Sequence, residues 1–253
     1  MAYAYVIKAS YGNDSIALIQ WAHEHELQNV AVLYNNTGWA RDDWPARVKR
    51  GEDMARSYGF DPHQTASIGL EALVKAKKGW PRQGLQFCTA ELKMKPTEKW
   101  LDENADDSIQ MIGVRREESA NRKNYPEWSV GLDGRKVWAP MAELTEAARD
   151  DLIRRAGWEP LPHRSMECFP CINSNRRDLR ELALDATRIE FIAGIEQDMG
   201  INSKGNPRTM FRPYRYMGAT GIKEIIRWAM SERGDFDPDD GAGTGCEAGW
   251  CGS

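Results

Sequence analysis

At 253 residues, with 28% of them charged and a formal net charge of −4, the chain can bury a sizeable core and has no overall basic field of the kind that marks a nucleic-acid binder. No apolar run approaches the ~20 residues of a membrane span, and no basic segment leads into a long apolar one, so a soluble, cytoplasmic protein is expected. Five cysteines, an odd number in a chain with no export signal, argue against a disulfide framework and for metal or thiol chemistry.

Taken in order, residues 4 to 10 read as a first strand on the apolar run Ala4-Tyr5-Val6-Ile7, and 15 to 27 as a helix with Ile16, Ile19, Trp21 and Ala22 toward a sheet. Between them lies Ser10-Tyr11-Gly12-Asn13-Asp14-Ser15. A small-residue loop between strand and helix suits phosphate, because the backbone comes close, its N–H groups point inward and the helix presents its positive dipole end. Asp14 and Ser15 equally suit a helix N-cap. The loop is neither a Walker A sequence nor a dinucleotide fingerprint. Residues 29 to 34 form a second strand, ended by Asn35-Asn36-Thr37-Gly38. The resulting βαβ unit puts both loops on the rim beyond the carboxyl ends of the strands, with the phosphates and base of a nucleotide there. Helices are expected over 42 to 58 and 70 to 78, with a loop at residues 59 to 62.

The stretch from 79 to 99 turns from loop into a helix interrupted or ended by Pro96. Cys88 near its start is either a packing thiol or a reactive thiolate. Ser108 to Ile112 is a third strand candidate, running into Gly113-Val-Arg115-Arg116-Glu-Glu118-Ser119-Ala-Asn-Arg122. Arg115, Arg116 and Arg122 there suit phosphate or sulfate, since a guanidinium forks onto two oxygens, with Glu118 orienting one of them; a solvated helix start is the alternative. A short strand at 136 to 140 and a helix over 143 to 156 follow. Cys168-Phe-Pro-Cys171 reads as a zinc or iron–sulfur half-site, a redox dithiol or two incidental thiols, with Cys88, Cys246, Cys251 or His163 as further ligands. A polar helix begins near Asn173 and an amphipathic one covers 179 to 199. Lys204 to Tyr216 mixes basic and aromatic residues, as a nucleic-acid contact or an ordinary loop does. Residues 231 to 253 are acidic and Gly-rich, a mobile tail carrying Cys246 and Cys251, so the chain divides into a domain over 1–230 and a tail over 231–253.

The loop at 10–15 resembles the Ser-Gly-Gly-x-Asp-Ser pyrophosphate (PP) loop of the adenine-nucleotide alpha-hydrolase superfamily, with Tyr11 in place of the first glycine. That loop, Asn36-Thr37-Gly38, Cys88 followed by Lys93, Gly113-x-Arg115-x-x-Glu118-Ser119 with Arg122, and Cys168-x-x-Cys171, in this order, resemble the phosphoadenosine phosphosulfate (PAPS) reductase family over about residues 4 to 180. The resemblance implies an α/β fold: a Rossmann-like (HUP-type), mostly parallel sheet with helices on both faces. It further implies an adenine nucleotide, ATP or adenylyl sulfate, at Ser10, Gly12, Asn13, Asp14, Ser15, Asn36, Thr37, Gly38, Gly113, Arg115, Glu118 and Ser119. Asp14, either as a Mg2+ partner or as a cap, and Arg115, Arg122 and Lys93, converging on the reacting phosphate or sulfate, are the implied catalytic groups. Cys88, Cys168 and Cys171, with Cys246 or Cys251 as fourth ligand, are implied to hold a [4Fe–4S] cluster, with zinc as the alternative metal.

Within that family two branches are open. In one an oxygen attacks the α-phosphate of ATP and the activated group is replaced by sulfur, supplied as sulfide or by a donor protein, on a DNA, tRNA or small-molecule acceptor. In the other a C-terminal cysteine attacks the sulfur of adenylyl sulfate. The Asp14-Ser15 pair favours sulfur transfer, while Cys251 close to the chain end favours the reductase. A non-catalytic nucleotide- or nucleic-acid-binding factor is the reading of another class, and a homo-oligomer is compatible with each.

Overall fold

The computed structural model describes residues 3–82, 84–211 and 221–231. The chain runs β1 (Tyr5–Lys8), α1 (Asn13–Glu24), β2 (Val30–Asn36), α2 (Trp44–Ser57), β3 (Asp61–Ala66) and α3 (Leu70–Lys77). After these come α4 (Phe87–Thr89), a π-helical turn (Ala90–Met94), α5 (Lys95–Asn104), β4 (Ile109–Met111), β5 (Trp128–Val130), β6 (Lys136–Trp138), α6 (Glu146–Arg155), α7 (Arg176–Leu182), α8 (Ala186–Met199) and α9 (Ile222–Ala229). The six strands form one sheet in the order β3-β2-β1-β4-β6-β5, parallel throughout except for the β5–β6 hairpin. This is the α/β, Rossmann-like architecture with helices on both faces.

The centre of the sheet follows from β1 and β2, whose apolar runs are buried on both faces, as strands between two helical layers must be. Ile7, Val30, Val32, Tyr34 and Met111 turn to the layer that contains α1, α2 and α6, where Ile16, Ile19, Val48, Leu152 and Ile153 meet them. Val6, Ala31 and Leu33 turn to the other face and pack on Leu101 and Ala105 of the α5 segment. The strand alternation therefore assigns each residue of β1 to one layer or the other, and puts Lys8 on the α5 side.

Several elements differ from the sequence reading. The stretch at residues 59 to 62 opens into β3, an edge strand of polar sequence that includes Pro62, which an edge tolerates because one row of its N–H groups has no ladder to join. The helix after Cys88 is not ended by Pro96. The π-helical turn precedes α5, and Pro96 falls in the first turn of α5, where its missing N–H costs little. The helix expected over 179 to 199 is two: α7 stops at Ala183 and Asp185 caps α8 by accepting from the backbone N–H of Arg188, 2.8 Å away. Of the mixed basic and aromatic segment, Lys204 to Phe211 folds back on α8, where Arg208 donates to the carbonyl of Met199 at 2.9 Å, while residues 212–220 lie outside the described residues. The tail expected over 231–253, with Cys246 and Cys251, lies outside them from residue 232 onward. Among the described residues no helix is long and apolar enough to cross a membrane.

Candidate nucleotide-binding site

Parallel strands bring the ends of β1, β2 and β4 to one rim. The loop after β1 is held from beneath. Trp44 Nε1 donates to the Ser10 carbonyl at 3.1 Å and Arg47 Nε to the Tyr11 carbonyl at 2.6 Å, so two carbonyls of the loop are drawn toward α2. On the other side the Ser10 backbone N–H donates to Ser15 Oγ, and the Ser10 and Ser15 hydroxyls lie 3.1 Å apart. Both hydroxyls are buried, and they occupy each other in the way that an arriving phosphate oxygen would replace. Gly12 is the N-cap of α1, with no side-chain cap, so Asp14 does not fill the capping role.

Asp14 is instead an ion-pair partner. Arg115 Nε reaches its Oδ1 at 2.8 Å, and Arg149 of α6 stands 3.9 Å from the same oxygen; all three side chains are buried. Gly113 makes this pairing possible. A Cβ there would lie 3.0 Å from Asp14 Cβ and 3.1 Å from its backbone oxygen, so only glycine lets the end of β4 pass the start of α1 this closely. The other two cations expected to converge on the reacting group are also paired: Lys93 with Glu167, both buried, and Arg122 with the half-buried Glu118. Each carboxylate is supplied by a different segment, and a buried cation is stable only against a counter-charge. Arg116 turns away to Glu143 and to the Tyr125 carbonyl. Next to Glu118, Ser119 Oγ is buried with no hydrogen-bond partner among the described residues.

The Cys168-x-x-Cys171 segment is docked onto this rim. The Asn13 side chain donates to the Leu161 carbonyl at 3.0 Å and accepts from the Leu161 N–H at 2.8 Å, which commits it to the backbone and not to a ligand. A Cβ on Gly12 would fall 2.9 Å from Ser165 Cβ, so the segment lies directly against the loop. Thr37 Oγ1 donates to the Glu167 carbonyl at 3.0 Å and lies 3.6 Å from Cys168 Sγ, and the Phe169 N–H donates to the Trp39 carbonyl. Burial pushes the Cys168 thiol up to about 12, against the opposing effect of Lys93. Such a thiol is protonated at neutral pH.

Asn36 accepts from the Gly38 N–H at 2.9 Å, closing a turn at the end of β2, and Gly38 takes a left-handed φ of 63°. Beside that turn lies a cavity of about 530 Å3 lined by Asn36, Gly38, Ser67, Gly69 and Lys75 among others, large enough for a small ligand. His163, the imidazole nearest the cysteine pair in sequence, meets its neighbour's carbonyl. Among the described residues no group of three or more His, Cys, Asp or Glu side chains could hold a metal ion. Cys88, Cys168 and Cys171 therefore offer no zinc site there and lend a [4Fe–4S] cluster no support, and Cys246 and Cys251 lie outside the described residues.

Arg149, Trp44, Arg47 and Glu167 escape the sequence reading. Arg149 alone left a signal: it shares the i, i+3, i+4 stripe with Leu152 and Ile153, so a charged residue sits on the buried face of α6.

A mostly parallel α/β sheet carries a Ser-x-Gly-x-Asp-Ser turn after its first strand, at the start of α1. The chain belongs to the PAPS reductase family: the profile of the phosphoadenosine phosphosulfate reductase domain matches residues 4–185. It is 26% identical over 118 residues to an uncharacterized protein of Methanocaldococcus jannaschii, a match covering 46% of this chain and 24% of that relative. The chain thus spans about a quarter of the length of that curated relative. Similar solved structures include the phosphoadenylyl-sulfate reductase of Candida auris in a phosphate complex (12% identical, TM-score 0.48, 62% of this chain and 74% of that one). They also include the NMN synthetase of Francisella tularensis (11%, 0.48, 90% and 84%) and the NH3-dependent NAD synthetase of Campylobacter jejuni (14%, 0.43, 79% and 81%).

Proposed function

We propose that the chain is an adenine-nucleotide-dependent enzyme of sulfur chemistry, which splits ATP between its α- and β-phosphates and delivers sulfur to the acceptor so activated. The buried Asp14–Arg115 pair is the observation that carries this reading. It ties the start of the phosphate-type helix to the Gly-x-Arg element that follows β4, so a polyphosphate lying on the loop would meet a guanidinium already oriented by a carboxylate. The phosphates would sit over Ser10, Gly12 and Ser15, and the base beside Asn36, Thr37 and Gly38 and the cavity there. Gly113 permits the close approach, and Ser119 with the Glu118–Arg122 pair flanks the reacting phosphate. An acceptor oxygen attacks the α-phosphate, pyrophosphate leaves, and sulfide, free or from a donor protein, displaces AMP. The acceptor is a nucleic acid or a small molecule. Asp14 is engaged by Arg115, so a Mg2+ ion on the phosphates would share that carboxylate with a guanidinium.

The test measures pyrophosphate release from ATP with sulfide present, and thiol-dependent sulfite release from adenylyl sulfate, in wild type and Arg115→Lys. Lysine keeps the charge opposite Asp14 but loses the fork, so ATP binding by calorimetry is expected to change little and pyrophosphate release to fall by ~10²–10³. Sulfite release in place of pyrophosphate release assigns the chain to the reductase branch. Neither activity, with ATP still bound, leaves a binding factor, and no ATP binding with or without Mg2+ removes the nucleotide assignment.

A further inference from the structure

Arg149 is a buried charge that the proposed reaction leaves unused. It lies on α6, on the stripe that brings Leu152 and Ile153 against α1, and its side chain is only 6% exposed. Its Nε and Nη2 meet Asp150 Oδ1 at 2.9 and 2.6 Å, and Nη2 also meets Glu146 Oε1 at 3.0 Å. Both carboxylates belong to the same helix, so this guanidinium is fixed from within α6. Its other amino group, Nη1, stands 3.9 Å from Asp14 Oδ1, the oxygen that Arg115 Nε holds at 2.8 Å.

Arg115 is held differently. It belongs to the extended segment after β4, and its second carboxylate contact is the exposed Glu117, 3.5 Å from its Nη1, for which water is a ready substitute. One carboxylate thus stands between a guanidinium fixed in a helix and one carried by a loop. When Arg115 turns to a phosphate oxygen, the Asp14 side chain, 4% exposed, loses that partner, and removing one member of a buried pair is costly unless a second cation is at hand. Arg149 is such a cation. Closing from 3.9 Å to hydrogen-bond distance asks for a side-chain movement of about 1 Å.

We infer that Arg149 is a positioning residue, which takes over Asp14 when Arg115 turns to the reacting phosphate and so releases Arg115 to the ligand without stranding a buried carboxylate. The inference rests on the reading of the 10–15 loop as the phosphate site. A purely structural Arg149 would instead serve Asp150 and Glu146, which are half-buried and exposed.

The experiment joins kinetics to a mutant cycle, both in the full chain. Arg149→Gln should lower pyrophosphate release from ATP by about tenfold or more while ATP affinity by calorimetry changes by less than about threefold, because Asp14 then holds Arg115 back from the transition state and not from the bound nucleotide. Unchanged release, or an equal loss of affinity and release, overturns the inference. Urea unfolding without nucleotide supplies the cycle: Arg115→Gln with Arg149→Gln should raise the unfolding equilibrium constant at least about tenfold beyond the product of the single effects. In an Asp14→Asn background that excess should vanish. Single effects that simply multiply, or an excess that persists in Asp14→Asn, mean that Asp14 is not shared. If Arg149→Gln alone fails to fold, Asp14→Asn/Arg149→Gln should fold, and its failure as well assigns Arg149 to Asp150 and Glu146. A wild type that neither binds nor splits ATP removes the phosphate-site reading, while the unfolding cycle, which contains no nucleotide, separately supports or overturns the sharing of Asp14.

Discussion

Tyr11 takes the place of a glycine in the loop and shows how a residue that looks wrong in sequence is accommodated. Its φ of 58° is left-handed, a conformation glycine adopts without strain and tyrosine does not. The ring is wholly buried against Gly51 of α2, where a Cβ would lie 2.2 Å from the ring carbon Cδ1. The missing side chain of Gly51 makes the space that the ring occupies. Gly51→Ala is therefore expected to destabilise the fold by about 1–3 kcal/mol and to weaken ATP binding by displacing the loop, measured by denaturant unfolding and calorimetry. Gly194→Ala, in a helix with nothing within 4 Å of the new Cβ, is the control and should be neutral or slightly stabilising. The order of the motifs was legible in the sequence, because residue type and spacing within a loop are local properties. Asp14 was legible as a site residue but not as a partner of Arg115, which comes from a loop 101 positions later. No periodicity records a contact of that kind.

Elements with a buried stripe could be read, and those without one could not. β1, β2, α1, α3 and α6 appear within a few residues of where their apolar patterns place them, whereas β3 alternates exposed and half-buried polar residues and reads as loop. The contact between α1 and α6 ends in an ion pair at its edge, where Arg155 holds both carboxylate oxygens of Glu24 at 2.7 and 2.8 Å and lowers that carboxyl to about 2. The folded value lies below the unfolded one. Its contribution is accordingly complete above about pH 4.5 and disappears as pH falls through about 2. Both side chains are substantially exposed, which limits the pair to about 0.5–1 kcal/mol. Glu24→Gln is expected to remove that increment at pH 7 and to flatten the acid limb of the stability curve between pH 4.5 and 2 by the same amount, measured by urea unfolding at stepped pH.

Across the whole molecule, the helical layer holding α1, α2 and α6 carries the larger core, and it also holds the loop of the candidate site in place. The fold class was legible because strand–loop–helix–strand with buried β-branched runs admits few other arrangements. The docking of the cysteine segment on the rim was not, since it depends on backbone contacts from Asn13 and Thr37. The indole of Trp44 has a consequence of a different sort. Its N–H is bonded to the Ser10 carbonyl and its ring is shut off from water, so any turn of that peptide toward a ligand changes the polarity the ring senses in its excited state. The chain thus contains its own optical reporter of loop movement. Titration with ATP should shift the tryptophan emission, and the part of the shift that Trp44→Phe removes is the signal of the loop. An emission change identical in wild type and Trp44→Phe would mean that the loop carbonyls stay where they are when the nucleotide arrives.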